Sequence, residues 1–281
     1  VDADTAAAVL KSVMNAQMAP EKMARYQEIH DMIAEVPKFG HLGMILAPDR
    51  SKLSKRHGAT AVSEFVEKGY LTEALINFVA LLGWSPSDGQ EIKTLEEIAA
   101  DFRIGEVSSS NSIFEYDKLN WMNGQYIKKM DIKELCKLVK PFLSKYDLSE
   151  MSEENFEKMV FATREPITIL SDLVHDCSYF FGQDVEIEPE AREKVLEQGQ
   201  KILKYIIENE IDKWDFNNDE KLHEQLADFR AYFKEQGIKP KETMWVLRAA
   251  VSGRTRGADM VVILEILGKE RVARRIKAAI K

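Results

Sequence analysis

The chain has 281 residues, of which 45% are hydrophobic and 31% charged, as is typical of a globular protein with one large or two ordinary domains. Its net charge of −8 argues against a protein that coats nucleic acid without selectivity. No apolar run approaches the roughly 20 residues of a membrane span, and residues 1–17 carry acids where a secretory signal would carry bases. We therefore expect a cytoplasmic protein with no membrane partner.

The side chains that could bind a metal are few and scattered. Cys136 and Cys177 are the only cysteines, and neither lies in a paired motif, so a reducing cytoplasm suits them best. The five histidines show no spacing typical of metal ligands. We predict no zinc site and no metal held by the protein.

One convincing strand is predicted near the N-terminus, at "HLGMIL", residues 41–46. This short apolar run is bounded by Gly40 before it and by "APD" after it, a pattern typical of a strand buried on both faces of a parallel sheet. A parallel sheet needs several strands joined by crossovers. Because no other strand is evident, residues 1–50 are expected to be the tail of a larger α/β domain.

Helical signals dominate the rest of the chain. Thr94 and Glu97 form a Thr-x-x-Glu capping box before an apolar face, and Asp131 is expected to cap a second helix. Further apolar stripes at helical spacing occupy residues 195–206, 222–233, 260–267 and 272–280. We interpret these stripes as packed core and not as a cofactor pocket.

Glycine and proline mark the ends of two of these helices. Gly237, with Pro240 just beyond it, predicts the end of the helix over 222–233, and Gly268 predicts the end of the helix over 260–267. The fold class is therefore mainly α, with an α/β tail at its N-terminal side.

The C-terminal part of the chain is basic. From Lys234 to Lys281 there are twelve cations and five acids, a local charge of +7, which leaves about −15 for the remainder. A basic end on an acidic body suggests one face for an anionic partner. The alternative is that these cations only lie on helix faces that are exposed to solvent.

A cluster of cations follows the predicted strand, in "KLSKRHG", residues 52–58. Polar loops beyond the ends of parallel strands are where such sheets bind ligands. Lysine suits a moving phosphate because its ammonium is a point charge on a flexible stem. Lys52 and Lys55 could neutralise charge that develops on a leaving pyrophosphate. The alternative is a merely basic surface loop.

This loop and its surroundings resemble a known family. "KLSKR" resembles the second signature of class I aminoacyl-tRNA synthetases, Lys-Met-Ser-Lys-Ser. Residues 35–86, together with "FEYDKLNWMNGQYIKKM" at 114–130 and "LRAAVSG" at 247–253, are similar to glutamyl-tRNA synthetase of the bacterial type. The resemblance runs from about residue 35 to the end of the chain, and residues 1–34 match poorly.

The resemblance implies ATP as a substrate, accompanied by Mg²⁺, with the loop contacting the ATP phosphates. It assigns phosphate binding to Lys52, Ser54, Lys55 and Arg56, and the catalytic role to Lys52 and Lys55. The first signature of the family, a His-x-Gly-His type of motif, has no counterpart in this sequence. We therefore expect the chain to be inactive alone, as an expressed fragment or a natural truncation.

The resemblance also implies a domain order. It places the tail of the catalytic nucleotide-binding domain at 1–50, and a domain that contacts the inner tRNA stem at 51–130. It places a helical anticodon-binding domain at 131–281, with a boundary between two subdomains near residue 184. Glutaminyl-tRNA synthetase shares the catalytic architecture but reads the anticodon with β-barrels, which the helical stripes exclude.

Five residues are candidates for contact with the tRNA anticodon. Arg248 matches an arginine that the family uses near the anticodon, while Arg254 and Arg256 are weaker candidates in a loop. Members that charge only glutamate tRNA commonly place an arginine at the position of Pro166. Proline offers no donor, so tolerance of glutamine tRNA is expected unless Arg164 reaches the same base. Pro166 could instead merely open a helix.

The function expected from the resemblance is glutamate–tRNA ligase in the complete protein, acting as a monomer through glutamyl-adenylate. The alternative, from a different class, is a non-catalytic tRNA-binding module. The missing first signature favours that alternative for this polypeptide.

Overall fold

A computed structural model describes residues 41–58, 61–149, 151–193 and 199–280 of the chain. The chain divides into two compact units, residues 1–43 and 44–281, and the second unit contains all the elements given below. The predictions for residues 1–40, including most of the predicted catalytic-domain tail, lie outside the described residues.

The described part is mainly helical, as the sequence predicted. Its strands are β1 (Ile45–Leu46) and β2 (Ser112–Ile113). Its α-helices are α1 (Val62–Lys68), α2 (Thr72–Leu81), α3 (Leu95–Asp101), α4 (Tyr116–Lys129), α5 (Ile132–Val139), α6 (Glu153–Thr163), α7 (Asp172–Asp176), α8 (Pro189–Ala191), α9 (Gln200–Tyr205), α10 (Asp219–Glu235), α11 (Pro240–Ser252) and α12 (Met260–Ala279). Short 3₁₀ turns occupy Lys55–His57, Ile104–Glu106, Lys140–Leu143 and Ser178–Phe180, and a π-helical turn occupies Ile206–Glu210.

The structure confirms one prediction about the strand region and corrects another. β1 pairs in parallel with β2, with Ile45 opposite Ser112, so the predicted parallel pairing is confirmed. The strand is two residues long and not six, and Met44 is half exposed, so burial on both faces is wrong for this chain. The reason is that β2 is the only strand in the described residues that pairs with β1. β2 itself was missed, because two residues carry no periodic signal.

Local capping signals placed the helix starts correctly. The Thr94 side chain accepts from the Glu97 N–H at 3.2 Å, and Glu97 Oε2 accepts from the Thr94 N–H at 2.7 Å, so the predicted capping box begins α3. The Asp131 carboxylate accepts from the N–H groups of Lys133 and Glu134 and begins α5.

Helix ends also follow the predicted signals. Gly237 adopts φ 80° after α10, and Pro240 begins α11. Gly268, at φ 70°, breaks the helical path inside α12 where the sequence predicted a helix end. The predicted stripe over 195–206 is described from residue 199 onward, where α9 continues into the π-helical turn.

Two apolar clusters hold the described helices together. The smaller cluster is formed by Phe65, Tyr70, Leu75, Phe78, Phe114, Leu119 and Met122. The larger cluster extends from Leu71 in the chain to Ala279, and Leu135, Met159, Leu203, Leu247 and Leu264 are among its members. Where the structure describes them, the apolar stripes predicted as core are therefore packed core. No described helix is long and apolar enough to cross a membrane.

Candidate functional site

The basic loop begins with a reversal of the chain at the carboxyl end of β1. The Arg50 N–H donates to the Ala47 carbonyl, and the Ala47 N–H donates to the Ser51 carbonyl, both at 2.8 Å. Arg50 adopts φ 65°, which is uncommon for a residue other than glycine. The chain then returns alongside β1, with Lys52 bridged to Leu46 in antiparallel fashion. The reversal presents Lys52 beside the end of the strand.

The second half of the loop is a single 3₁₀ turn, Lys55–His57, with Ser54 as its extended N-cap. The Ser54 N–H donates to His57 Nδ1 at 3.2 Å, so the imidazole fastens the start of the turn to its end. Gly58 follows at φ 121°, and a Cβ at this position would lie 2.9 Å from the Tyr116 hydroxyl oxygen. Glycine is required here by both conformation and space.

The three cations of the loop are exposed to solvent. Lys52, Lys55 and Arg56 are all exposed. Within the part of the chain that the structure describes, none of them has a carboxylate oxygen within 4.0 Å. The structure therefore brings Lys52, Ser54, Lys55 and Arg56 together on one short loop, with positive charge directed at solvent.

A second candidate site is a cavity of about 810 Å³ in the helical part of the chain. It lies among the segment after α6, helix α7, the residues before α8 and the loop after α11. Pro166, Arg254 and Arg256, three of the predicted anticodon residues, line this cavity together with Asp176, Tyr179 and Glu188. The fold thus joins residues that lie almost 90 positions apart in the sequence.

Arg254 is the structural centre of the cavity wall. Its guanidinium donates to the His175 carbonyl at 2.8 Å and to Ser178 Oγ at 3.1 Å, and lies 3.3 Å from a Glu188 carboxylate oxygen. Asp176 Oδ1 lies 3.5 Å away, and burial raises the pKa of that carboxyl above its ordinary value. Because these protein groups already engage its N–H donors, Arg254 holds the cavity wall together and has little capacity left to bind a ligand.

Arg256 differs from Arg254 because it is exposed at the cavity mouth. No carboxylate in the described ranges lies within ion-pairing distance of Arg256. The lining also includes four acidic residues, Glu165, Asp176, Glu188 and Glu190. Since acids outnumber arginines, the cavity suits a neutral group with N–H donors better than it suits a phosphate.

Arg248 and Arg164 lie beside the cavity and do not line it. Arg248 Nη1 donates to the Ala258 carbonyl at 2.6 Å, and burial lowers the pKa of this guanidinium. Arg164 lies over the exposed ring of Phe161, with 4.3 Å from its Cζ to the ring centroid. The structure therefore does not bring Arg164 to the surface that Pro166 lines.

Pro166 lies in the irregular segment between α6 and α7, so the interpretation that it merely opens a helix is wrong. The segment is fixed from α4, where the buried Asn123 side chain donates to the Thr168 carbonyl at 2.6 Å and accepts from the Leu71 N–H. The Asp172 carboxylate accepts from the Thr168 and Ile169 N–H groups. These bonds hold Pro166 in place without helical structure.

Most of the basic C-terminal end is engaged within the protein. Arg275 is buried and bonded to carbonyls, Arg271 bonds the Leu267 carbonyl, Arg274 pairs with Asp184, and Lys269 pairs with Asp212. Counting charges along the sequence therefore overstates the positive face. Arg256 remains available to an anionic or polar partner.

Sequence reasoning missed several residues of these sites. His57 was not among the candidate site residues, and the structure bonds its ring to Ser54 and Ser51 within the loop. Asp176, Tyr179 and Glu188 were not singled out, because their meeting depends on packing between distant segments.

Two family models match this chain, and its relatives are synthetases. Residues 18–121 match the family described as tRNA synthetases class I (E and Q), catalytic domain, and residues 134–280 match the family described as anticodon binding domain. The chain is 39% identical over 251 residues to glutamate–tRNA ligase of Natranaerobius thermophilus, a match that covers 88% of this chain and 51% of the relative. It is 40% identical over 240 residues to glutamate–tRNA ligase 1 of Fervidobacterium nodosum, with 85% and 48% covered.

The chain is also similar to solved structures of two such enzymes. The crystal structure of a glutamate tRNA ligase from Elizabethkingia meningosepticum in complex with its amino acid superposes with a TM-score of 0.72 at 27% identity, covering 92% of this chain and 54% of that one. Glutamate-tRNA synthetase from Elizabethkingia anophelis gives 0.72 at 28% identity, with the same coverage. The chain spans about half the length of the relatives it matches.

A catalytic-domain match that contains the basic loop, followed by a helical anticodon-binding match, defines the class I aminoacyl-tRNA synthetases. The chain belongs to the family described as anticodon binding domain, which matches more than half of it, and it is similar to the C-terminal portion of glutamate–tRNA ligases.

Proposed function

We propose that the complete protein is a glutamate–tRNA ligase. The glutamate carboxylate would attack the α-phosphorus of ATP, giving glutamyl-adenylate and pyrophosphate, and the adenylate would then acylate the 3′ end of the tRNA. The observation that carries this proposal is the set of three exposed cations, Lys52, Lys55 and Arg56, on a short loop with one hydrogen-bonded turn just beyond a parallel strand. Such a turn suits a polyphosphate.

Lys55, assisted by Lys52, would stabilise the charge that develops as pyrophosphate leaves. Donors that are fixed before reaction stabilise a transition state without reorganisation, and the 3₁₀ turn supplies that fixity. Ser54 and Arg56 would contact the same phosphates. Magnesium would arrive as part of the MgATP substrate.

The cavity around Pro166 would receive a base of the tRNA anticodon. Its acidic lining can accept N–H groups from a base edge, and both cytosine and guanine present such groups. Arg256 would supply a charged donor at the mouth, while Arg254 and Arg248 would hold the surrounding loop. Arg164 on the exposed ring of Phe161 would offer a stacking surface next to the cavity.

The domain bounds 1–50, 51–130 and 131–281, with a subdomain boundary near 184, belong to the same proposal. The smaller apolar cluster supports it, since its buried residues all lie within 51–130, and the larger cluster consists mainly of residues of 131–280, joined by Leu71, Ala74 and Ile127. A monomeric enzyme of the cytoplasm, able to charge glutamine tRNA as well as glutamate tRNA, completes the proposal. The other function, a non-catalytic tRNA-binding module, is favoured for this polypeptide by the missing first signature.

Pyrophosphate exchange separates the two functions. The complete protein should exchange labelled pyrophosphate into ATP in the presence of glutamate, and the 281-residue chain should not, because it lacks the first signature motif. Exchange by the chain alone would contradict the second expectation. A complete protein that bound glutamate tRNA but showed no exchange and no glutamylation would establish the binding module instead.

Binding of tRNA tests the cavity directly on this chain. Affinity should fall as salt rises, because phosphate contacts release counterions. Arg256→Gln should weaken binding of a tRNA with the glutamate anticodon more than one with a scrambled anticodon. Arg230→Gln, a change at a partly buried arginine on α10, serves as the control. Equal losses on both tRNAs would make Arg256 a backbone contact.

A further inference from the structure

We infer that His57 is a positioning residue that holds the basic loop in its phosphate-binding shape while adding no negative charge to it. The inference rests on the proposed polyphosphate site. It concerns a residue that does not touch the phosphates itself and acts through Ser54 and the turn that carries Lys55.

The bonds of the imidazole fix its role. Nδ1 accepts from the Ser54 N–H at 3.2 Å, and Ser54 Oγ lies 3.1 Å from the same nitrogen. Nδ1 must therefore be unprotonated, which places the proton of the neutral ring on Nε2. Nε2 lies 3.3 Å from Ser51 Oγ and can donate to it. The ring thus ties Ser54, at the start of the turn, to Ser51, at the chain reversal.

The bonding continues from Ser51 to Asp49. Ser51 Oγ donates to Asp49 Oδ1 at 2.7 Å, and the Ser51 N–H donates to the same oxygen at 2.9 Å. These two bonds, mainly, hold the pKa of the Asp49 carboxyl below its ordinary value. Asp49 Oδ2 is 3.7 Å from Nε2, so this carboxylate lies on the side of the ring away from Ser54. One relay connects the whole loop from residue 49 to residue 57.

The choice of histidine has a chemical reason. His57 occupies the third position of the turn and accepts from the N–H of its N-cap, the place that Glu or Gln takes in an ordinary capping box. A glutamate there would satisfy the same N–H but would put an anion next to Lys55 and Arg56. A neutral imidazole supplies the acceptor without opposing a polyphosphate. Histidine therefore caps the turn and leaves its surface cationic.

The matched pair His57→Gln and His57→Glu isolates this property, since both side chains can accept from the Ser54 N–H and only one is charged. Inorganic tripolyphosphate is titrated into the 281-residue chain by calorimetry, with Lys55→Ala as the reference for loss of the site. We expect His57→Gln to bind within about 3-fold of the unaltered chain, and His57→Glu to bind at least about 10-fold more weakly. His57→Ala, which has no acceptor, should fall between them.

Nitrogen-15 chemical shifts of the His57 ring provide a readout that does not depend on binding. The expected result is the neutral ring protonated on Nε2, with Nδ1 accepting a hydrogen bond. A ring protonated on Nδ1 overturns the inference, as does equal tripolyphosphate affinity for His57→Gln and His57→Glu when Lys55→Ala abolishes binding. If Lys55→Ala leaves the affinity unchanged, the proposed phosphate site itself fails, whatever the His57 variants show. Unchanged melting temperatures confirm that each variant is folded.

Discussion

Two adjacent arginines on α12 show how burial decides what a charged side chain does. Arg275 is 2% exposed, and it donates to the carbonyls of Tyr179, Val251 and Gly182 at 2.6–2.9 Å. Burial, followed by the charge of Arg271, lowers its pKa to about 10. Arg274 is exposed and pairs with Asp184. One arginine holds the loop after α7 against α11, and the other lies in solvent.

Arg275→Met should lower the free energy of unfolding by about 3 kcal/mol or more, since several buried carbonyls would lose their donor at about 1–3 kcal/mol each. Arg274→Met should cost less than about 1 kcal/mol, as expected for an exposed ion pair. Urea unfolding of the two variants gives both numbers from the shift in midpoint at constant slope. Similar midpoints for the two variants would show that the carbonyl bonds of Arg275 contribute little.

Lys55 carries the residue-level prediction for catalysis. In the complete ligase, Lys55→Ala should lower the rate of adenylate formation by about 10²–10³-fold, the scale for loss of one preorganised donor. ATP binding should weaken much less, because the interaction strengthens as charge develops. Lys137→Ala, at an exposed lysine on α5, is the control and should leave the rate unchanged. A normal rate with poor ATP affinity would assign Lys55 to ground-state binding.

At the scale of elements, the ends of α10 and α11 offer a matched pair of glycines. Gly237 and Gly253 both adopt the left-handed conformation, at φ 80° and φ 73°. No heavy atom lies within 4 Å of a Cβ placed at Gly237, whereas a Cβ at Gly253 would be 2.0 Å from the Glu186 carbonyl oxygen. The Glu188 N–H also donates to the Gly253 carbonyl at 2.9 Å. The end of α11 is therefore packed against the residues before α8.

Gly237→Ala should cost about 1–2 kcal/mol, the strain of a left-handed alanine. Gly253→Ala should cost clearly more, because backbone must move apart as well. Thermal unfolding of both variants measures the difference, and tRNA binding at a temperature where both are folded gives a second readout. Since Glu188 lines the cavity, only Gly253→Ala should also weaken binding. Equal stability losses would show that the contact between Gly253 and Glu186 relaxes without cost.

Element starts and ends could be predicted because their signals are local. Thr94 with Glu97, Asp131 and Gly237 with Pro240 each act within one turn of helix, so a short stretch of sequence contains the whole cause. β2 could not be predicted, because its existence depends on hydrogen bonds to β1, almost 70 residues earlier. For the same reason, the sequence could not show that β1 and β2 are partly exposed and form no buried sheet.

At the scale of the whole molecule, the phosphate loop could be predicted and the cavity could not. Lys52, Ser54, Lys55 and Arg56 are neighbours in sequence, so their meeting needs no tertiary structure. The cavity combines Pro166 with Arg254 and Arg256, and its walls depend on ion pairs from Arg254 to Asp176 and Glu188. The sequence count of basic residues could not separate Arg256, which is available, from Arg275, which is buried.

The last prediction concerns which tRNAs the complete enzyme accepts. Pro166 lines the cavity without a donor, and Arg164, the alternative source of one, is directed onto Phe161. A site that excludes the wrong base only by shape discriminates weakly, whereas one that leaves a buried polar group unpaired discriminates strongly. We therefore expect glutamylation of glutamate and glutamine tRNA transcripts to differ by less than about 100-fold, roughly 2.7 kcal/mol at 1.36 per decade.

Replacing the proline tests the reason for this expected tolerance. Pro166→Arg places a guanidinium at the cavity and should raise the preference for glutamate tRNA, while Pro166→Ala, which adds no donor, should leave it unchanged. The ratio of kcat/KM for the two transcripts is the measured quantity, because discrimination lies in that ratio. A preference above about 100-fold in the unaltered enzyme would contradict the prediction. If Arg164→Ala then removed that preference, Arg164 would be the residue that reads the base, after leaving the ring of Phe161.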